Sequence, residues 1–243
     1  PPAVPAFNRV DLLRRRSLRQ WRVPVPERAP DQRRNFQEIV ATLTADQAKA
    51  EAARCLDCDT FCSFCVGVCP NLAFFTYSQT PVTWPVPVLA AADGRVAVTG
   101  SQPFTVAQKH QVALLADSCN ECGNCVTFCP TAGRPYHDKP RFFVNAEEFA
   151  AQSDNAFRLL HTGDRWTLQG RFGGELHQLT HGRALEYTTP HLAVKLDPES
   201  WVVREARAEP TAPAAPSLEP CAILYALLRG VRGSLPWFPA PEA

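Results

Sequence analysis

Residues 119–130 read Cys119-Asn-Glu-Cys122-Gly-Asn-Cys125-Val-Thr-Phe-Cys129-Pro130. Gaps of two, two and three residues closed by proline form the bacterial spacing that wraps a cubane [4Fe–4S] cluster. The two-residue gaps let a tight loop cover three corners of the cube. The fourth cysteine, one helical turn further on, points away, and in two-cluster proteins it ligates the other cluster. Pro130 fixes the backbone and removes a donor where the chain must turn.

Working back along the chain, a second run ends in the same way, with Cys62, Cys65 and Cys69-Pro70, but starts differently, with Cys55 and Cys58. Cys58 lies three intervening residues before Cys62, so five thiols compete for four places. If two cubanes are built in the crossed manner, Cys69 completes the cluster of Cys119, Cys122 and Cys125. Cys129 then joins the cluster of the first run. The expected set there is Cys58, Cys62, Cys65 and Cys129, with Cys55 as a substitute; spacing alone does not choose the spare. Phe61, Phe64, Val66, Val68, Val126 and Phe128 are expected to form the apolar shell that excludes water. His110, Arg134, Lys139 and Arg141 are candidates for tuning the second run, with ordinary solvated charges as the plainer reading.

Other readings of the thiols fit less well. A disulfide framework wants an oxidising compartment and a small core-poor domain, whereas 243 residues are ample for a core. A four-cysteine zinc site needs neither a third cysteine at the next two-residue step nor a proline after the fourth. Cys58, Cys62 and Cys65 also copy the spacing of radical enzymes that use S-adenosylmethionine, but no barrel of alternating strands and helices follows. The tenth cysteine, Cys221, reads as a core thiol. His177 and His181 are four apart with Gln178 where a zinc protease needs Glu, so a strand and turn are expected there. No G-x-G-x-x-G, Walker loop or G-x-S-x-G occurs, which leaves the chain without a recognisable nucleotide site or hydrolase elbow.

The formal charge of +1 hides an asymmetry. Residues 1–34 hold nine arginines against Asp11, Glu27 and Asp31, and the remainder is acidic. Two oxidised clusters with four thiolates each would carry the total to roughly −3. The basic arm reads as a connector or solvated arm lying on an acidic partner; nucleic acid is disfavoured, because only Phe7 and Trp21 interleave it. There is no methionine, so Pro1 is expected to follow a trimmed start or to begin a piece of a longer polypeptide. No apolar run reaches the roughly 18 residues of a membrane helix, and no signal-like segment opens the chain; a cytoplasmic location is expected.

The expected fold class is α+β: a ferredoxin-like domain for two [4Fe–4S] clusters, with short helices and a β-hairpin insertion, then a small antiparallel β extension and a C-terminal helix. The expected divisions are a basic connector over 1–40, the two-cluster domain over 41–160 with its hairpin at 82–100, the β extension over 161–207, and a Pro/Ala linker with an apolar tail over 208–243. A short helix is expected around Leu12 to Trp21. Thr44-x-x-Gln47 predicts a capping box opening a helix that delivers Cys55. Val86, Val88 and Ala90, then Asp93-Gly94, then Val96 and Val98 predict the hairpin. Val106, His110, Ala113 and Leu114 follow helical spacing. Asn145-x-x-Glu148 caps a short helix reaching about Ala151. From Arg165 onward the period is two, at Trp166, Leu168, Phe172, Leu185, Tyr187, Leu192, Val194, Leu196, Trp201 and Val203, giving about four antiparallel strands. The segment from Cys221 to Leu228, followed by Leu235, Trp237 and Phe238, reads either as a core-capping tail or as an exposed docking peptide.

The stretch Glu51–Asn71, EAARCLDCDTFCSFCVGVCPN, resembles the iron–sulfur segment of the glutamate synthase small subunit and the N-terminal part of dihydropyrimidine dehydrogenase. With Ala116–Phe143, ADSCNECGNCVTFCPTAGRPYHDKPRFF, the likeness extends to the bacterial selenate reductase iron–sulfur subunit family, over roughly residues 35–160. The resemblance implies electron flow between NAD(P)H, flavin and iron–sulfur centres. Flavin and NAD(P) would then sit on a partner or an upstream domain. The implied partners are a flavoprotein NAD(P)H oxidoreductase unit and a terminal redox enzyme, with a molybdenum-dependent enzyme as one candidate. A zinc-binding structural or nucleic-acid-binding module and an iron–sulfur redox sensor are the alternative functions.

Overall fold

The computed structural model describes residues 17–54 and 62–241 together with Val10, Asp11 and Arg14, and divides the chain into two units, Pro1–Cys62 and Ser63–Ala243. In the first unit, helix α1 (Ala45–Ala52) starts at the expected capping box. The Gln47 N–H donates to Thr44 Oγ1 at 3.2 Å and the Thr44 N–H donates to Gln47 Oε1 at 2.9 Å, satisfying two donors that a helix start leaves open. The Val23 N–H donates to Glu51 Oε2 at 2.8 Å, and a single antiparallel bridge joins Glu27 to Val40. Several arginines of the basic arm find partners within it. Arg33 binds Glu27 at 2.9 Å, Arg14 lies 3.5 Å from Asp11, and the Arg19 guanidinium lies 4.2 Å from the Trp21 ring centre. Val10, Asp11, Arg14 and Ser17 are helical but Trp21 is not, so the expected helix stops short; Leu12, Leu13, Arg15 and Arg16 lie outside the described residues.

The second unit is built on a nine-stranded sheet. Its strands are β1 (Phe74–Ser78), β4 (His110–Leu115), β5 (Arg141–Phe142), β6 (Ala156–Thr162), β7 (Arg165–Phe172), β8 (Glu175–His181), β9 (Leu185–Thr188), β10 (Leu192–Leu196) and β11 (Val203–Ala208), adjacent in that order. β5 pairs in parallel with both β4 and β6, and the other pairs are antiparallel. β2 (Val82–Ala92) and β3 (Arg95–Val106) form the expected hairpin. Asp93 and Gly94 at its tip have φ of 51° and 73°, the two left-handed residues of a type I′ turn.

One core gathers the inner face of nearly the whole sheet. Tyr77, Ala113, Phe142, Phe157, Leu168, Leu179, Leu185 and Leu196 all pack into it with the hairpin residues Trp84 and Leu89. At its centre lies α6 (Glu219–Ser234), whose Cys221, Leu224, Tyr225, Leu228 and Val231 are buried. Pro220 sits in its first turn, where the missing N–H costs nothing. Of the two expectations for the tail, the core role is realised by Cys221, Leu224, Leu228 and Phe238, whereas Trp237 is exposed. Cys221 is fully buried, and burial pushes its thiol well above the ordinary range.

Several expectations need correction. Residues 161–207 are not a small separate sheet of four strands: β6 to β11 continue a sheet that already contains β1, β4 and β5, so no break in packing falls at 160. Residues 110–115 are strand rather than helix, because Val112, Ala113 and Leu114 are all buried and a strand covered on both faces shows no alternation. Trp201 is not in a strand; with φ of 60° it turns the chain between β10 and β11. The Pro/Ala stretch after β11 is pinned to the hairpin, since the Ala91 N–H donates to Ala214 O at 2.9 Å. The Asn145 cap holds as expected, its Oδ1 accepting from Glu147 N at 2.8 Å and Glu148 N at 3.1 Å at the start of α5 (Ala146–Ala150).

His177 occupies a core position of β8, 2.6 Å from the Tyr187 hydroxyl. Burial pulls its pKa below the usual histidine value, with Glu175 opposing; His181 is shifted the same way by burial, then Arg232 and Arg229. Burial thus favours the neutral form of both imidazoles in the fold. As pH falls below the unfolded value of about 6.5, the unfolded chain takes up protons first and stability is lost down to the lowered folded pKa. Urea midpoints measured between pH 7.5 and 5.5 are expected to fall with acid, and to fall less in His177→Asn. An equal acid loss in that variant would remove His177 from the account.

Candidate metal centre

The β1–β4 pairing positions the thiols. Phe74 opens β1 five residues after Cys69, and Leu114, its register partner, lies near the end of β4, five residues before Cys119. The antiparallel pair thus brings the loop of one cysteine run beside the loop of the other, and the Leu115 N–H donates to Ala73 O at 2.8 Å. The hairpin insertion leaves and returns at the opposite end of the pair, after Ser78 and before His110.

Cys69, Cys119, Cys122 and Cys125 line one small cavity, alongside Asn71, Phe74, Glu121, Asn124 and Tyr136. Cys125, in helix α3 (Asn124–Thr127), is buried, whereas Cys122 is exposed. Burial raises the Cys119 pKa and the neighbouring Cys69 and Cys125 thiols add to the rise, while the Glu121 N–H donates to Cys119 Sγ at 3.4 Å and opposes it. Thiolates gathered this closely repel unless a cation holds them. A single zinc at about 2.3 Å from each sulfur needs the ligands nearly in contact. Among the described residues no three His, Cys, Asp or Glu side chains converge in that way.

The two Cys-Pro loops are structural repeats. In the first, the Leu72 N–H donates to Cys69 O at 3.2 Å, Leu72 is left-handed with φ of 52°, and the Ala73 N–H donates to Cys69 Sγ at 3.4 Å. In the second, the Ala132 N–H donates to Cys129 O at 3.2 Å, Ala132 has φ of 53°, and the Gly133 N–H donates to Cys129 Sγ at 3.3 Å. A backbone donor aimed at each sulfur stabilises the thiolate form a cluster ligand takes. Contacts to Thr131, first its hydroxyl at 3.3 Å, together with Gly133 and Lys139, hold the Cys129 pKa below the ordinary thiol range. Upstream, Cys65 in α2 (Phe64–Val68) and Cys125 in α3 stand four residues before their Cys-Pro partners, and both are buried.

Cys62 is exposed and belongs to the first unit, and Cys55, Cys58 and Phe61 lie outside the described residues. None of the eight described cysteines is in a disulfide. The expected apolar shell is only partly right. Phe64 and Phe128 are 60% and 58% exposed. Phe74 and Tyr136 line the cavity instead. A clue to Phe74 was available, since it opens an apolar strand just past Cys-Pro; Tyr136 carried none. Of the proposed tuning charges, Arg141 is spent on Asp154 O at 2.9 Å and Asn155 O at 3.3 Å, His110 faces Ser78 at the far end of β4, and Lys139 acts on Cys129.

Residues 60–132 match the family described as "4Fe-4S dicluster domain". The chain is also 39% identical, over 107 residues, to the protein named "Putative oxidoreductase YgfK" in Escherichia coli strain K12, and equally to its namesake in Escherichia coli O157:H7. The match covers 44% of this chain and 8% of each relative. No solved structure matches. The family match and the relative support an iron–sulfur electron-transfer role. Among the described residues no helix is long and apolar enough to cross a membrane.

Proposed function

We propose that this chain relays single electrons through two [4Fe–4S] clusters between an NAD(P)H-linked flavoprotein and a terminal redox enzyme, a molybdenum-dependent one being a candidate, in a thiol-reducing compartment such as the cytoplasm. The observation that carries this reading is the gathering of Cys69 with Cys119, Cys122 and Cys125 around one cavity by two runs distant in sequence. By the same crossing, Cys129 serves the second cluster with Cys65, Cys62 and Cys58, Cys55 being the substitute. The repeated loops support that arrangement, because Cys129 stands in its loop as Cys69 does in its own.

When bound, such clusters supply one-electron chemistry. The chain's own part is to hold the thiolates, aim the Ala73, Glu121 and Gly133 N–H groups at sulfur, and keep bulk water from the buried side of the cavity. The fractional match to much longer relatives fits a module whose flavin and substrate sites lie elsewhere. Chain purified anaerobically and reconstituted is expected to hold about eight iron and about eight sulfide and to show thiolate-to-iron charge-transfer absorbance. Zinc in place of iron, or markedly fewer irons, would overturn the reading.

A further inference from the structure

The end of the β1–β4 pair opposite the cysteine loops borders a second cavity, of about 210 Å³. Ser78 and Gln79 at the end of β1, Thr80 beyond it, Trp84 of β2, and Arg229 and Gly233 of α6 line it, so three separate parts of the chain meet there. Trp84 is buried, whereas Thr80 and Arg229 are exposed. The wall is fixed by its own backbone. The Gln79 N–H donates to Lys109 O at 2.9 Å, and the Ser78 N–H donates to Ser234 Oγ at 3.1 Å.

Arg229 stands in this wall with no carboxylate in ion-pair distance among the described residues. Its guanidinium lies 5.7 Å from the Trp84 ring centre and 5.5 Å from that of Tyr225, contacts that hold the side chain in place and lower the cost of ordering it around a ligand. Arg232, nearly one turn on, lies 5.1 Å from the Trp166 ring centre and is likewise unpaired there. Burial first, then Arg232 and Arg229, lower the His181 pKa, so the local field is positive. No carboxylate lines the cavity. The carbonyls at the end of α6, which would repel an anion, are partly occupied: Ser234 Oγ donates to Gly230 O at 2.6 Å and the Leu235 N–H donates to Val231 O at 2.9 Å.

We propose that this cavity binds a small oxyanion, a phosphate or carboxylate group, with the Arg229 guanidinium as its charge partner and the Thr80 hydroxyl and Gln79 amide as further donors. The planar guanidinium offers paired N–H groups that match two oxygens of such an anion. The volume falls below the roughly 300–1,000 Å³ of sites for drug-sized ligands, so it suits a free anion or one charged group rather than a whole dinucleotide. The site does not depend on the thiols being loaded.

Isothermal titration calorimetry of the full chain, in a buffer free of oxyanions, tests this with inorganic phosphate and, separately, malonate. Saturable binding with a dissociation constant on the order of 1 mM is expected, together with a melting temperature that rises with probe concentration. Arg229→Gln is expected to weaken binding roughly tenfold to a hundredfold, the worth of a charged hydrogen-bond partner. Gly233→Asp is an independent variant. A Cβ there meets nothing within 4 Å, so the substitution adds a carboxylate to the wall without a clash and is expected to abolish binding. Arg207→Gln, at an exposed arginine of β11 that does not line the cavity, should bind as wild type. Binding of phosphate alone supports the site and assigns it to phosphoryl groups; binding of malonate alone supports it and assigns it to carboxylates. No saturable heat with either probe at about ten times that concentration, or wild-type affinity in folded Arg229→Gln and Gly233→Asp, would overturn the proposal.

Discussion

Cys125→Ser is expected to strip the chain of the cluster that Cys69, Cys119 and Cys122 would share with it. Cys125 is 7% exposed at the start of α3, so the serine hydroxyl has no room to withdraw and no solvent to replace the lost iron bond. Iron and sulfide are expected to fall from about eight per chain to about four or fewer. The fall can go further, because the same loops carry Cys65 and Cys129 and fold with their metal. Cys221→Ser is the control: that thiol is buried in α6 among core side chains, and iron content is expected to stay at wild type. Full iron in Cys125→Ser, measured by colorimetric assay and electron paramagnetic resonance, would refute the ligand assignment.

Leu224→Ala is expected to destabilise the second unit by about 2–5 kcal/mol, the range for deleting a fully buried leucine from a well-packed core. Leu224 is completely buried on α6 and lies against Gly170 of β7, where a Cβ would meet Leu224 Cδ2 and Phe172 Cε2 at 2.8 Å. The sheet therefore approaches the helix as closely as a missing side chain allows. Gly170→Ala alone is expected to cost roughly 1–3 kcal/mol through overpacking. Combined with Leu224→Ala it should cost less than the sum, since the shortened side chain vacates part of the clash. Urea denaturation of the two single variants and the double variant tests this, and strict additivity would break the proposed contact.

How much of this was legible in the sequence depended on the kind of signal each part carried. The Cys-Pro runs, the Thr44 and Asn145 caps and the Asp93-Gly94 turn are local chemistry, and each local geometry within the described residues follows from a few neighbouring side chains. The sheet was harder. β4 hides three consecutive buried residues, Val112 to Leu114, which by spacing alone pass for a helix. β6 likewise buries both Leu159 and Leu160. In β8 a histidine takes a core position, breaking the apolar alternation that would have announced a strand. The cavity was legible as four thiols but not as a place. That Phe74 and Tyr136 wall it while Phe64 and Phe128 face solvent depends on how β1 and α4 (Pro135–Asp138) pack, which no short window encodes.

The central position of α6 also sets a timetable. Phe238 completes the core about 110 residues after Cys129, an interval of roughly 5–20 s at ribosomal speed. Throughout that interval every thiol of both runs has already been made, while the helix around which their supporting sheet closes has not. The nascent chain must therefore carry its cysteines through synthesis without finished walls, open to iron-delivering machinery and to oxidants alike. Maturation of the metal centre thus becomes a race between loading and damage, decided before the last turn of the helix is in place.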